Sequence, residues 1–572
     1  MAEKESVKVN EIPIPDKREE IRKGRRVVRE GLFLKKRVKE SLVNIREYLE
    51  SKVLNTPDKV YLYFEDQCWT YKQFNERVNQ AANAFLELGI HKGDCVCLML
   101  PNSPEFLFSW LGLNKIGGIM VPINTAFKVH ETLYIVEHCG AKGMIAHSET
   151  QPVALSVQEK SSFLKWVALI NKGSQEKSID LWQLWDKSFT SLEDIPLQDQ
   201  DIASIIYTSG TTGPPKGAMH AHQSYVLCGQ AMTVRAGLSS EDRLMIILPL
   251  FHANAQFYSV MGSLAAEASI IVVPRFSASQ FWRQAKKYGA TQFNFIGAIG
   301  RILAARPIEE FEPDHSIRVT NGGPVPSDVY HAFFERFKIP YVIDGYGLTE
   351  CPCVCQNPIR GIKKIGSMGL PAEHPDPSIK FTEMRIIDDE DRDLPIGKVG
   401  ELVLRSPVLM KGYFRDPQQT SEVMRGEWFH TGDYCYQDED GYFFFVDRKK
   451  DIIRRKGENI SSVEVEMVIN AHPKVSESAV VAVPSSLSED EVKAFVVLKE
   501  RGHLPPEEMI KWCIDRLADF KIPRFVEYRK SLPKTPSQRI AKYILKRERA
   551  GERTSDMSEY IKKILDERKK LK

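Results

Sequence analysis

Cysteine is scarce in this chain, and its thiols are scattered rather than paired. Cys68, Cys95, Cys97, Cys139, Cys228, Cys351, Cys353, Cys355, Cys435 and Cys513 are the ten among 572 residues, far below the density of a disulfide scaffold. The run Cys351-Pro-Cys-Val-Cys355 has no Cys-x-x-Cys or histidine pair nearby to complete a tetrahedral metal site. Its period of two reads as small apolar residues on one face of a strand or extended segment. A dominant charge is lacking too: 79 Lys and Arg stand against 76 Asp and Glu, a formal charge of +3. That balance excludes a global pull toward nucleic acid or membrane. No stretch reaches the roughly 18 to 20 uninterrupted apolar residues of a membrane span. No apolar core of a secretory signal follows Met1; the first forty residues carry Lys17-Arg-Glu-Glu20 and Arg22-Lys-Gly-Arg-Arg26 instead. There is no fixed-period repeat and no low-complexity linker. The expectation is a cytoplasmic protein with no transmembrane segment and no nucleic-acid partner.

What is present exceeds the size at which one hydrophobic core keeps growing, so two or more domains are expected. The hydrophobic and charged fractions, 42 % and 27 %, are ordinary for a globular chain. Helical patterns alternate with short β-branched runs such as Ile270-Ile-Val-Val-Pro274, which predicts α/β layers around a largely parallel sheet. Val78 to Leu88 reads as an amphipathic helix closed by Gly89, and Cys95 to Leu100 as a strand stopped by Pro101. Near residue 450 the composition shifts to charge runs, Asp447-Arg-Lys-Lys-Asp451 and Arg454-Arg-Lys456. A capping box at Ser461-Ser-Val-Glu464 then opens a helix ending near Pro473. Strands Ala479 to Val483 and Val492 to Leu498 and a helix around Pro506 to Phe520 follow, enough for an α+β domain of about one hundred residues. The division read from this is a charged extension over 1–44, a large domain over 45–449, a small one over 450–546, and a charged tail over 547–572 forming a peripheral helix with Tyr560, Ile561, Ile564 and Leu565 as its few apolar residues.

The segment richest in chemistry is Tyr207-Thr-Ser-Gly-Thr-Thr-Gly-Pro-Pro-Lys-Gly217. Thr208, Ser209, Gly210, Thr211, Thr212 and Gly213 offer hydroxyls and bare backbone N–H groups to phosphates, with Lys216 supplying charge. It is not a Walker A loop, because Pro214-Pro215 precede Lys216 and Gly217 follows it. Nor is it a nucleophile elbow, because Tyr207 stands where the first glycine before Ser209 belongs.

With this loop, and with motifs that recur after it in order, residues 45–546 resemble the adenylate-forming superfamily of acyl-CoA synthetases, luciferases and peptide-synthetase adenylation domains. Asn102-Ser-Pro-Glu-Phe106, Met120-Val-Pro-Ile-Asn124 and Lys456-Gly-Glu-Asn-Ile460 are most similar to the carnitine/crotonobetaine-CoA ligase type. The resemblance implies a large multi-layer α/β adenylation domain of mixed and parallel sheets, plus a small mobile α+β domain that rotates at Lys450. It implies ATP, Mg²⁺ and CoA as cofactor or co-substrates and a small-molecule carboxylic acid as substrate. His252 of Leu248-Pro-Leu-Phe-His252 would border the acyl pocket and adenylate; Gly322, Gly323 and Pro324 would line adenine. In Tyr346-Gly-Leu-Thr-Glu350, Tyr346 would stack on adenine, Thr349 would bond the α-phosphate and Glu350 would bind Mg²⁺. Asp433 would accept from the ribose hydroxyls, Arg448 would add a ribose or phosphate contact, and Gly457, Glu458 and Asn459 would line the pantetheine tunnel.

One departure matters. The family pattern Pro-x-Thr-x-x-Gly-Lys-Ile appears as Pro533-Lys-Thr-Pro-Ser-Gln-Arg-Ile540, with Arg539 where the adenylation lysine stands and Gln538 where the glycine stands. A planar guanidinium does not substitute conservatively for a compact ammonium at a site of fixed geometry. Three readings follow: Arg539 takes the lysine's role, Lys542 or Lys534 reaches in instead, or adenylation is impaired and the chain is a nucleotide- or acyl-CoA-binding protein on the same fold. The first ranks highest, because the paired change at Gln538 points to a remodelled loop. The expected function is an AMP-forming acyl-CoA ligase acting on a fatty acid or a carnitine- or betaine-type acid. Phe251 to Tyr258 and Phe293 to Gly297 are expected to line the acyl pocket, and a homodimer is the prior for oligomeric state.

Overall fold

The computed structural model of the chain describes residues 6–7, 44–170, 178–208, 214–455, 458–484, 490–499, 502–534, 540–548 and 553–570. Ser209, Gly210, Thr211, Thr212, Gly213, Gly457 and Arg539 lie outside the described residues, as do the side chains of Glu458 and Asn459.

The alternation of helix and strand builds two stacked α/β sheets, as the sequence pattern predicts. The first runs, in spatial order, Lys216–Ala221, Ile202–Thr208, Ile119–Pro122, Cys95–Met99, Gly143–His147, Trp166–Ile170 and Ile179–Asp180. Its pairs are parallel except the hairpin joining the first two strands. Every residue of Cys95–Met99 is buried, which is what a central parallel strand covered on both faces requires. The second sheet has nine strands and carries Gly322, Gly323 and Tyr346. Tyr341–Tyr346, Val319–Gly323, Gln292–Ile296 and Arg243–Ile246 lie side by side in it, all parallel. Their carboxyl ends therefore open on one edge, where α/β sheets bind ligands. An antiparallel sheet of Glu383–Ile387, Gly400–Arg405 and Trp428–Gln437, flanked by Met424–Arg425 and Phe443–Arg448, completes the large unit. Among the described residues no helix is long and apolar enough to cross a membrane.

Several local expectations are corrected by packing. The helix expected from Val78 begins at Tyr71, because Thr70 and Gln73 form a reciprocal capping box and Tyr71 and Phe74 extend the buried stripe toward its start. Helix Ser462–Asn470 does start at Ser461, whose hydroxyl accepts the Glu464 N–H. The Glu464 carboxylate, however, binds Lys521 Nζ at 2.7 Å rather than returning to the cap. Cys351, Cys353 and Cys355 are buried, but Cys353 has φ +68°, so the segment turns there instead of running as a strand. The tail set apart over 547–572 is joined to what precedes it. Ser555–Asp556 pairs with Phe525–Val526 as the last strand of a four-stranded sheet, and Tyr560, Ile561, Ile564 and Leu565 of helix Ser558–Lys570 pack on that sheet's core.

Lys115 shows how the large unit is tied together. It is wholly buried at the end of helix Pro104–Lys115, and its ammonium donates to Glu50 Oε1 at 2.7 Å, Asn75 Oδ1 at 2.7 Å and Asn79 Oδ1 at 2.8 Å. Burial outweighs attraction to Glu50 and lowers its pKa to about 8. A lysine whose folded pKa lies below its unfolded value contributes stability that is full above the unfolded value and lost as pH falls through the folded one. Urea denaturation of wild type and Lys115→Met should therefore diverge between about pH 8 and 10.5, wild type gaining relative stability as pH rises. A pH-independent difference would remove the linkage.

Candidate active site

Asn102 sets the geometry of the first catalytic candidate. Its side chain donates to Leu248 O at 3.0 Å and Val273 O at 3.1 Å, and accepts the Leu250 N–H at 2.7 Å. This buried amide fixes the loop after strand Arg243–Ile246, on which His252 stands. The His252 N–H closes a turn on Pro249 O at 3.0 Å, and its ring packs beside Phe251. Tyr258, in the turn of π-helix Asn254–Val260, accepts the Cys353 N–H at 2.9 Å. A side chain at Gly347 would strike that Tyr258 hydroxyl at 2.5 Å, so the Tyr346–Glu350 loop can pass here only with glycine. Gly322 and Gly323 are demanded by the protein itself. A Cβ at Gly322 would meet the Phe295 ring at 2.5 Å, and one at Gly323 would meet Gly345 O at 2.3 Å. The peptide bond that follows, Gly323–Pro324, is cis.

Two clusters form along the Tyr346–Glu350 loop. At its start, the Tyr346 hydroxyl donates to Asp433 Oδ2 at 2.5 Å, while Arg448 Nε lies 3.7 Å from Asp433 Oδ1. Asp433 and Arg448 face each other across the antiparallel pair Trp428–Gln437 and Phe443–Arg448, which explains their spacing in sequence. Burial, together with the neighbouring Asp433 charge, pushes the Tyr346 phenol far above its ordinary pKa, so it stays a proton donor. At the loop's end, Glu350 Oε1 accepts the Tyr413 hydroxyl at 3.0 Å and Glu350 O accepts the Met410 N–H at 2.8 Å. Lys216 sits over the Tyr413 ring, 5.3 Å from its centroid, and hydrogen-bonds Gln419 Oε1. Thr208 is paired with Lys216 in the hairpin, its Oγ1 3.5 Å from Lys216 O. A cavity of about 270 Å³ opens beside Lys216, lined in part by Tyr134, His138, Pro215, Tyr413 and Gln419.

The structure thus brings Tyr346, Asp433 and Arg448 together, sets Glu350 and Lys216 each against Tyr413, and pairs Thr208 with Lys216. Thr349 lies between these groups in the chain; His252 is placed on the same sheet edge but in a different loop. Tyr413 was missed in the sequence. Its signal, Lys411-Gly412-Tyr413 with Gly412 at φ +120°, is a turn whose partners only the fold supplies. Among the described residues no three His, Cys, Asp or Glu side chains form a metal cage.

Beyond Arg448, Asp447 is buried and accepts the Ser462 N–H and Ser462 Oγ–H, both at 2.6 Å, on Oδ2. Ser461 Oγ donates to Val446 O at 2.7 Å. Lys450 O accepts Lys546 Nζ at 2.6 Å. Lys542 is committed to this region: its ammonium lies 2.6 Å from Ser462 Oγ and 2.8 Å from Glu466 Oε1. Lys534 pairs with Glu477 at 3.0 Å.

The comparisons with known proteins bear on this arrangement. The family model described as AMP-binding enzyme matches residues 49–414, and that described as AMP-binding enzyme C-terminal domain matches 464–539. A crotonobetaine/carnitine–CoA ligase of Salmonella paratyphi B is 34 % identical over 523 residues, covering 88 % of this chain and 99 % of the relative. One of Escherichia coli is 35 % identical over 491 residues, covering 84 % and 93 %. The solved structure of an anthranilate CoA ligase in complex with anthranoyl-AMP superposes with a TM-score of 0.81 at 29 % identity, covering 88 % of this chain and 96 % of that one.

Glu466 is half-buried, and burial raises its pKa against the pull of Lys542, so without Lys542 it keeps, among the described residues, only the Val480 N–H, 2.7 Å from Oε1. Lys542→Ala should lower stability by about 1.5 kcal/mol, read as a shifted urea midpoint. An unchanged midpoint would show the pair to be unimportant.

Proposed function

The chain belongs to the AMP-binding enzyme family, and on that premise we propose which acid it activates and which residues do so. It is an AMP-forming acid–thiol ligase that uses ATP, Mg²⁺ and CoA. The observation that carries the site assignment is the convergence of Tyr346, Asp433 and Arg448 at one end of a five-residue loop, and of Glu350, Tyr413 and Lys216 at the other. A nucleotide laid along this loop has its sugar at the first cluster and its phosphates at the second.

In this reading the substrate carboxylate attacks the α-phosphate in line and pyrophosphate leaves; the CoA thiolate then attacks the mixed anhydride and AMP leaves. The protein supplies positioning and electrostatic stabilisation, with no covalent nucleophile. Tyr346 stacks on adenine with its ring orientation fixed by the hydroxyl bond to Asp433, and Asp433 with Arg448 holds the ribose. Gly322, Gly323 and Pro324 shape the adenine wall. Thr208, Ser209, Gly210, Thr211, Thr212, Gly213 and Lys216 hold the leaving phosphates, Thr349 holds the α-phosphate, and His252 borders the reacting carboxylate. Glu350 would hold Mg²⁺, which would neutralise phosphate charge. A single carboxylate shared with substrate phosphates is an ordinary way to hold this ion, and Glu350 fits because its Oε1 is met by a neutral donor, Tyr413.

Arg539 takes the adenylation lysine's role. The support is that the two alternatives are otherwise engaged, Lys542 with Ser462 and Glu466 and Lys534 with Glu477. Residues 450 onward form the rotating unit, with Lys450 as hinge and Gly457, Glu458 and Asn459 along the pantetheine path. The acid is of the carnitine or crotonobetaine type, which 34–35 % identity to ligases of that name supports.

Pyrophosphate release from Mg·ATP, measured across carnitine-type and medium-chain alkanoic acids with and without CoA, tests both parts. Release with a betaine, increased by CoA and matched by AMP, is expected; alkanoic acids outcompeting betaines by a wide margin would discard the substrate. Arg539→Ala should slow adenylate formation by roughly 10²- to 10³-fold. A folded Lys542→Ala protein without adenylation, beside an unaffected Arg539→Ala, would transfer the role.

A further inference from the structure

Glu350 and Lys216 carry opposite charges and share a neighbour. In a site with no nucleotide, such a pair gains by closing on each other, and closure would neutralise the two groups that a magnesium nucleotide requires. One side chain touches both. Tyr413 is buried; its hydroxyl donates to Glu350 Oε1 at 3.0 Å, and its ring face carries the Lys216 ammonium 5.3 Å from the centroid. Gln419 Oε1 accepts from Lys216 on the other side. The same segment fixes where Tyr413 stands. Tyr413 N donates to Thr420 Oγ1 at 2.9 Å, Phe414 N to Gly217 O at 2.8 Å, Met219 N to Gly412 O at 3.0 Å and Met410 N to Glu350 O at 2.8 Å. Backbone bonds thus run from this segment to Glu350 itself and, on the other strand, to Gly217 and Met219 just after Lys216, which holds the tyrosine near both charged residues.

We propose that Tyr413 is a positioning residue that insulates Glu350 from Lys216, presenting the carboxylate to Mg²⁺ and the ammonium to the phosphates as two separate charges. This rests on the roles given to Glu350 and Lys216 above. A phenol suits the task for two reasons. It donates to the carboxylate without adding charge, and its electron-rich face attracts a cation without neutralising it. Donation from the hydroxyl also polarises the ring in the direction that favours the ammonium. Leucine of similar bulk would offer neither contact, and phenylalanine only the second.

The test separates the two arms by binding, with a non-hydrolysable ATP analogue titrated calorimetrically into the full chain, with and without Mg²⁺. Tyr413→Phe keeps the ring and frees the carboxylate. It should raise the Mg²⁺ concentration needed for half-maximal enhancement about tenfold while leaving metal-free analogue affinity unchanged. Tyr413→Leu should weaken the metal-free affinity as well, because Lys216 then closes on Glu350. In a Glu350→Gln background, Tyr413→Phe should have no further effect on Mg²⁺ dependence. A merely structural tyrosine would move the thermal midpoint and both affinities together, and that outcome overturns the proposal, as does an unchanged Mg²⁺ requirement in folded Tyr413→Phe. If Tyr413→Phe does not fold, Gln419→Leu reads the same arrangement from the lysine side: metal-free affinity should fall with Mg²⁺ enhancement retained, and no change overturns it. Wild type that binds no analogue at all would instead overturn the assignment of Glu350 and Lys216 to magnesium nucleotide, and Tyr413's role with it.

Discussion

The candidate site depends on one backbone constraint: the segment from Met410 to Phe414 is hydrogen-bonded on one side to strand Lys216–Ala221 and on the other to Glu350. Without it, the hairpin that includes Lys216 and the Tyr346–Glu350 loop belong to two different sheets, and among the described residues no ladder joins them directly. Each bond in this seam is worth only about 1 kcal/mol net, but together they fix the distance between a lysine and a carboxylate that are far apart in sequence. The same logic operates at the other end of the loop. Asp433 and Arg448 are held opposite each other by strand register, and Tyr346 reaches that register through its hydroxyl.

Much of this was legible in the sequence, because local chemistry leaves local marks. The glycine- and hydroxyl-rich loop, the Tyr346–Glu350 motif and the charge shift near residue 450 are all short-range patterns, and the α/β layering follows from alternation of helix and strand. Tyr413 left no comparable mark, since a Lys-Gly-Tyr turn on its own is ordinary and acquires meaning only when Glu350 and Lys216 arrive from elsewhere. The glycines were legible, but their packing demand was not. Gly322 and Gly323 are crowded by Phe295 and by the Gly345 carbonyl of the neighbouring strand, a demand of strand packing that composition cannot reveal. Cys353 was read as part of an extended segment; its left-handed backbone accompanies an Arg235 Nη1 contact to its sulfur at 2.7 Å, a partner 118 positions away.

The replacement at Arg539 shows how charge counting alone misleads. Three basic residues in nine positions appear interchangeable in the sequence, yet Lys542 and Lys534 each have a carboxylate within 3.0 Å. A half-buried ion pair with an additional hydroxyl contact resists giving up its cation, because the carboxylate left behind loses its charged partner in a partly desolvated place. The role of a lysine in this stretch is thus set by what it would abandon as much as by what it could reach.

Asp447 carries a consequence for how this polypeptide can be divided. Its carboxylate opens the charge run, yet it satisfies the first N–H and hydroxyl of helix Ser462–Asn470. An anion at a helix start both meets otherwise unpaired donors and complements the dipole. The helix therefore begins, energetically, fifteen residues before it begins in the chain. A fragment cut anywhere between 448 and 461 would inherit the helix without its anchor, whereas one cut upstream of Val446 would carry its own cap. At the other end, removing Ser555–Asp556 and the helix after it would strip a strand from the sheet and uncover its core. The smallest self-sufficient piece is thus longer at both ends than the motifs alone suggest.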